Sequence, residues 1–218
     1  MQKYKNILKD RIEAANRLKE TLPMQKIKEE NWIFVAVSSG GLEIAHQIKG
    51  TLRNKIDFLF SESILAPNND ECEIARVSES EEIIIIDELA HAFDIQYDYI
   101  YGEAHRKHEE KILSYVYQFR KGRPFVEIEG HVVLLLDEGA ETGVKLTTAL
   151  KSVLAMKPKA VYIAAPILPT TVVENLEPFA DELFFVYNID DYVETKLYYK
   201  NLPPISEERI EKILGEEK

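Results

Sequence analysis

The chain reads as an α/β protein built on a doubly wound, mainly parallel sheet flanked by helices, with a long helix inserted before its most informative strand. Three observations carry this reading. Short uninterrupted apolar runs suit strands buried on both faces, and amphipathic segments at helical spacing alternate with them. At one junction the five apolar residues from Val132 to Leu136 run straight into Asp137, Glu138, Gly139, Ala140, Glu141, Thr142 and Gly143. With 218 residues and 45% hydrophobic content, one domain spanning 1–218 can bury a sizeable core.

Leu8, Ile12, Ala15, Leu18 and Leu22 recur at helical spacing, so a first amphipathic helix is expected to end before Pro23. Trp32 to Val37 is the first core strand, Gly40 and Gly41 turn after it, and Leu42, Ile44, Ala45 and Ile48 suit a helix leaving that turn. A second apolar run, Ile56 to Phe60, precedes a polar stretch from Ser61 to Ser80 that reads as a mobile loop or a hairpin near a site. Ile83 to Ile86 is a β-branched run expected to lie outside the main sheet, with Asp87 capping the next turn. From about Tyr97 to Arg120, the residues Ile100, Ala104, Ile112 and Val116 form one apolar stripe of a long helix, ended by Lys121 to Pro124. The junction strand follows, then a helix from about Thr142 to Met156. Ala160 to Ala165 and Leu183 to Val186 are the last sheet strands, separated by a helix around Thr171 to Leu176, and Ser206 caps a final helix reaching Leu214.

The chemistry of the junction follows from the position of its strand. A strand buried on both faces delivers its next residues to the crevice at the carboxyl edge of the sheet. Asp137 and Glu138 arrive there together and, being anionic, suit hydroxyl groups or a cation rather than a phosphate. One turn later Gly139, Ala140 and Gly143 allow close backbone approach, the unpaired amides of a helix start can take a phosphate, and the Thr142 hydroxyl can donate to that phosphate or cap the helix.

The string VVLLLDEGAETG resembles the phosphoribosyl pyrophosphate signature of the type I phosphoribosyltransferases, and the resemblance covers nearly the whole chain. FVAVSSGGLEIA, from Phe34 to Ala45, is similar to that family's pyrophosphate loop, and SILAPNNDECEIA, from Ser63 to Ala75, to a later loop; GRPFVEIEG and APILP match by position on either side of the signature. Together they point to the subgroup of predicted phosphoribosyltransferases of unassigned substrate. The resemblance implies transfer of a phosphoribosyl group from phosphoribosyl pyrophosphate to a nitrogen nucleophile with release of pyrophosphate, using Mg²⁺. It implies that Asp137 and Glu138 hold the ribose and the metal, and that Gly139, Ala140, Glu141, Thr142 and Gly143 wrap the sugar phosphate. Ser38, Ser39, Gly40 and Gly41 would meet pyrophosphate. Glu141, the third candidate catalytic carboxylate beside Asp137 and Glu138, either points away from the phosphate or assists proton transfer.

Departures from the subgroup's pattern motivate a second reading. Ser38 and Ser39 stand where Pro and Arg are usual, Glu62 and Ser63 where basic residues begin the later loop, and Lys196 where glycine is common. A pyrophosphate site short of cations suits a catalytically degenerate relative that binds a nucleoside monophosphate or sugar phosphate as a sensor or regulatory partner.

The formal net charge of −11 argues against nucleic acid as a partner. No apolar stretch approaches the roughly 20 residues of a membrane span, and the first residues are charged rather than signal-like, so a cytoplasmic protein is expected. Cys72, the single cysteine, forms no intrachain disulfide and reads as a passive thiol. His105 and His108 with Glu109 read as a solvated helix face rather than a metal site, and the alternating Tyr97, Tyr99 and Tyr101 as packing in the core or against a second copy in a homodimer. Neither a Gly-Lys-Ser/Thr phosphate loop nor a dinucleotide glycine triplet is present, which removes ATPase and dehydrogenase readings.

Overall fold

The computed structural model describes residues 6–216. The charged first five residues, on which the reading of the amino terminus rests, lie outside the described residues. Helix α1 (Arg11–Thr21) starts at Asp10, whose carboxylate accepts the Ile12 and Glu13 N–H groups. Leu8 shares the helical spacing but lies before that cap, bridged to Tyr199. Pro23 opens a short helix, α2 (Met24–Glu29), that the sequence pattern did not announce. β1 (Ile33–Ala36) passes through the Ser38 cap into α3 (Ser39–Lys49). β2 (Ile56–Phe58) ends two residues earlier than its apolar run, and the polar stretch after it resolves as a hairpin of β3 (Ser61–Ala66) and β4 (Asn69–Ser78).

β5 (Ile83–Ile85) pairs with β4 and stays outside the main sheet, as its sequence position implied. Asp87 is the first residue of α4 (Asp87–Ala92) rather than its cap, and its carboxylate accepts the Tyr97 hydroxyl. The long helix is continuous from α5 (Tyr97–Lys107) through a π-helical turn (His108–Ile112) into α6 (Leu113–Arg120). β6 (Val132–Leu136) has the bounds of its apolar run, and α7 (Val144–Ala155) follows. β7 (Ala160–Ala164), β8 (Ile167–Pro169), α8 (Thr170–Leu176), β9 (Glu182–Phe184), β10 (Tyr187–Ile189), a 3₁₀ turn (Thr195–Tyr198) and α9 (Glu207–Gly215), capped by Ser206, complete the described chain.

The main sheet is parallel, with strand order β2-β1-β6-β7-β9. Its two faces explain the unbroken apolar runs. Phe34 and Ala36 of β1 and Val132, Leu134 and Leu136 of β6 join one core with α1, α3 and α9. The alternate residues Ile33, Val35, Val133 and Leu135 join a second core with α7 and α8. Every residue of these strands is therefore buried, and a polar side chain would be stranded on either face. Arg120 is buried between Asp57, in the middle of β2, and Glu79 after β4, which ties the long helix to the edge strand of the sheet. Two smaller sheets flank the main one: β3-β4-β5, antiparallel, and β8-β10, parallel. Among the described residues no helix is long and apolar enough to cross a membrane.

The closest packing falls where β1 turns into α3. A Cβ on Gly41 would lie 2.3 Å from the Leu136 carbonyl oxygen and 2.9 Å from the Asp137 Cα, both backbone atoms that cannot step aside alone. Gly41→Ala is expected to destabilise the protein by about 2 kcal/mol or more, through forced separation of two paired loops. Chemical denaturation checks this, and a midpoint matching the parent would contradict it.

Candidate active site

Because β1 and β6 pair in parallel with Ala36 beside Leu136, the residues that follow each strand emerge side by side at the carboxyl edge. The Ser38 hydroxyl donates to Asp137 Oδ1, and Ser38 Oγ also accepts the Gly41 N–H at 2.9 Å, capping α3. Asp137 Oδ1 accepts the Glu138 N–H at 2.8 Å as well. Asp137 is only 3% exposed, yet it lines a cleft of about 620 Å³ together with the whole loop Glu138 to Gly143. Facing that loop are Glu71, Cys72, Glu73 and Arg76 from β4, Leu89 from α4, and Glu194, Thr195 and Lys196 from the carboxy-terminal segment. The candidate sugar-phosphate loop is therefore open to a space large enough for a phosphorylated pentose.

The two acids are held differently. Glu138 Oε2 accepts the Arg11 Nε–H at 2.6 Å, while Arg11 Nη1 donates to the Pro203 carbonyl, so α1 and the carboxy-terminal segment fix this carboxylate from behind. The Tyr199 hydroxyl donates to the Glu138 carbonyl at 2.8 Å. The Glu141 carboxylate accepts the Thr195 N–H at 3.2 Å, and Glu141 also lines the cleft. Gly139 is pressed against that same segment, since a Cβ there would stand 2.7 Å from the Thr195 methyl and 2.9 Å from the Tyr192 hydroxyl. Gly143 has φ 75°, in the left-handed region, which delays the start of α7 to Val144. Thr142 is exposed at the cleft, and its Oγ1 lies 3.5 Å from the Val144 nitrogen, too far for a strong cap.

The pyrophosphate-loop residues divide. Ser38 lines both the main cleft and an adjoining cavity of about 300 Å³, and Ser39 lines the smaller one. Gly40 and Gly41 line neither: both are buried, Gly40 beneath the Glu138 carboxylate and Gly41 against β6 with its N–H taken by Ser38. Both are closely packed where they stand. Glu62 is also corrected. Its carboxylate accepts the Tyr115 hydroxyl at 3.0 Å, lies 3.9 Å from Lys107, and lines neither cavity, so it does not oppose an anion there.

For Mg²⁺, Asp137 and Glu138 offer two carboxylates at the cleft. Among the described residues no group of three His, Cys, Asp or Glu side chains could hold a metal by itself. That donor set fits a Mg²⁺ held mainly by ligand phosphates and water, which is the ion's usual habit, and does not fit a closed protein cage. His105 is exposed and pairs loosely with Glu109 at 3.5 Å, while His108 is half-buried against the Glu79 carbonyl. Tyr97, Tyr99 and Tyr101 remain exposed, which removes the core-packing reading for them.

No family model matches the chain. A Mycobacterium tuberculosis protein named "Putative phosphoribosyl transferase Rv0571c" is 20% identical over 201 residues, covering 92% of this chain and 45% of the relative. The chain thus spans about half the length of the curated relatives it matches. Among solved structures, TT1426 from Thermus thermophilus superimposes with a TM-score of 0.75 at 25% identity, over 96% of this chain and 98% of that one. A purine phosphoribosyltransferase from Pyrococcus horikoshii overlays more loosely, with a TM-score of 0.42 and 13% identity over 88% of this chain and 93% of that one. The chain is thus similar over most of its length to proteins named putative phosphoribosyl transferases, and it shares the α/β fold of TT1426.

Burial pushes the Asp137 carboxyl above the ordinary carboxylate range, with the Lys145 ammonium and the Ser38 hydroxyl pulling the other way. An acid whose pKa is higher folded than unfolded contributes stability that is complete below the unfolded value and is lost as pH rises through the folded one. Asp137→Asn keeps an oxygen acceptor for Ser38 and Glu138 while removing the buried charge. The variant is expected to melt at or above the parent near pH 7, with the difference closing toward about pH 4. Thermal melts across that range check the sign.

Proposed function

We propose that the protein binds phosphoribosyl pyrophosphate in the 620 Å³ cleft and transfers its phosphoribosyl group to a nitrogen nucleophile, releasing pyrophosphate. The observation that carries this reading is the loop Gly139 to Gly143, which lines the cleft directly after two carboxylates at the carboxyl edge of a buried parallel strand. Asp137 and Glu138 would accept the ribose hydroxyls, Glu138 through the oxygen that Arg11 leaves free. The loop amides and Thr142 would hold the sugar phosphate. Ser39 would donate its hydroxyl to the pyrophosphate, Ser38 keeping its own on Asp137, and Mg²⁺, with Asp137 and Glu138 as its protein donors, would neutralise phosphate charge. The protein's share of the chemistry is to fix both ends of the sugar, align the incoming nitrogen and exclude water while positive charge develops on the sugar ring.

A second reading keeps the same cleft but without turnover, as a sensor of a nucleoside monophosphate or sugar phosphate. The acids Glu71, Glu73 and Glu194 that line the cleft favour it, because they oppose a ligand with a second anionic end.

Calorimetry with phosphoribosyl pyrophosphate and Mg²⁺, alongside a pyrophosphate-release assay over a panel of bases, tests both. Saturable donor binding with turnover supports the transferase; tight monophosphate binding without turnover selects the sensor; no binding of either sugar phosphate removes both. The double variant Asp137→Ala with Glu138→Ala is expected to weaken sugar-phosphate binding at least about tenfold, as loss of hydrogen bonds to charged groups does. An unchanged dissociation constant places the ligand elsewhere.

A further inference from the structure

The proposed ligand has a second anionic end, and the sequence left that end short of cations at Ser39, Glu62 and Ser63. The fold brings two others to the same place. We infer that Arg76 and Lys145 form the subsite for the diphosphate end of the ligand, an assignment that rests on the sugar-phosphate reading above.

Both side chains line the main cleft and the adjoining 300 Å³ cavity, and they share that double position with Ser38 and Glu138. The β3–β4 register sets Arg76 directly opposite Ser63, so the charge absent from one strand of the hairpin is supplied by the other. Arg76 is 9% exposed and incompletely bonded. Its Nη1 donates to Ser61 Oγ at 3.1 Å, but its Nε lies 2.7 Å from Glu73 Oε1 in an orientation that leaves neither atom with a hydrogen bond. A buried guanidinium with a misaligned partner has donors to offer an arriving anion.

Lys145 is the second, independent observation. It is half-buried in the first turn of α7, where the positive end of the helix dipole disfavours a cation. Among the described residues no hydrogen bond or ion pair holds it, and its charge acts on the buried Asp137. Ser39 and Ser61 add hydroxyls around the smaller cavity, and Phe58, Phe60 and Phe119 also line it. Low-polarity walls strengthen each charge-assisted hydrogen bond made between them.

The test uses two probes, inorganic pyrophosphate and ribose 5-phosphate, titrated by calorimetry at constant ionic strength with Mg²⁺ present. The proteins are the parent, Lys145→Gln, and Arg76→Gln combined with Glu73→Gln so that no carboxylate is stranded; each is first checked for a native melting transition. Each variant is expected to lose about tenfold or more in pyrophosphate affinity, with ribose 5-phosphate affinity nearly unchanged. Lys145→Gln removes no hydrogen bond in the folded chain, so it keeps the assignment open to failure even if the Arg76 variant folds poorly. Pyrophosphate binding that survives Lys145→Gln, or ribose 5-phosphate weakened as much as pyrophosphate, overturns the assignment. If the parent binds ribose 5-phosphate but not pyrophosphate, this subsite falls and the sugar-phosphate reading stands. If it binds pyrophosphate with the expected losses but not ribose 5-phosphate, the subsite stands and that reading falls. Binding of neither probe removes both.

Discussion

The structure depends on the parallel pairing of β1 with β6. These strands are buried on both faces, so their register is fixed by two cores at once, and a slip of one residue would exchange the residues facing each core. With that register set, Ser38 and Asp137 have to emerge together, and the hydrogen bond between them joins the two loops that a sugar diphosphate would bridge. Gly41, seated on the backbone of Leu136 and Asp137, permits the approach. The geometry of the cleft is thus a consequence of hydrophobic packing beneath it and does not wait for a ligand to organise it.

An acidic chain that is to hold an anion has to dispose of its own carboxylates near the site. At about 4 Å and an effective dielectric near 20, two like charges repel by roughly 4 kcal/mol, so one misplaced acid can cancel a well-made phosphate contact. Four acids have local commitments, while Glu71, Glu73 and Glu194 face the loop from across the cleft. Glu138 is drawn back over Gly40 by Arg11, Glu62 is turned to Tyr115 and Lys107, Glu141 accepts the Thr195 amide, and burial biases Asp137 toward its neutral form.

The sheet is legible in the sequence because buried parallel strands leave a signal that depends only on local composition. The apolar run of β6 has the structure's own bounds, and Ser206 caps the final helix as expected. What stays hidden is whatever depends on distant pairing. Leu8 fits a helical stripe by spacing, but its backbone is claimed by Tyr198 and Lys200 nearly the whole chain away. β8 and β10 are three-residue strands, too short to carry a periodicity. The loop after β6 stands out as a cluster because its residues are consecutive. Arg11 and Arg76 lie far from it in sequence and cannot be assigned to the cleft by inspection. Lys145 does carry a signal, a lysine in the first turn of a helix, but the neighbouring motif overshadows it.

The ion pair between Arg11 and Glu138 does not by itself decide between transferase and sensor. A carboxylate has two oxygens, and Arg11 engages one of them, so the pair orients Glu138 while leaving an acceptor for a hydroxyl. The two readings differ instead in what they need at the other end of the sugar. A protein that binds only a monophosphate needs the loop from Gly139 to Gly143 and gains nothing from further cations. Keeping Lys145 against a helix dipole, and Arg76 buried beside a poorly aligned glutamate, costs such a protein stability without return. A ligand with anionic groups at both ends offsets that cost at the moment it binds, and this asymmetry favours a diphosphate-bearing sugar over a simple monophosphate.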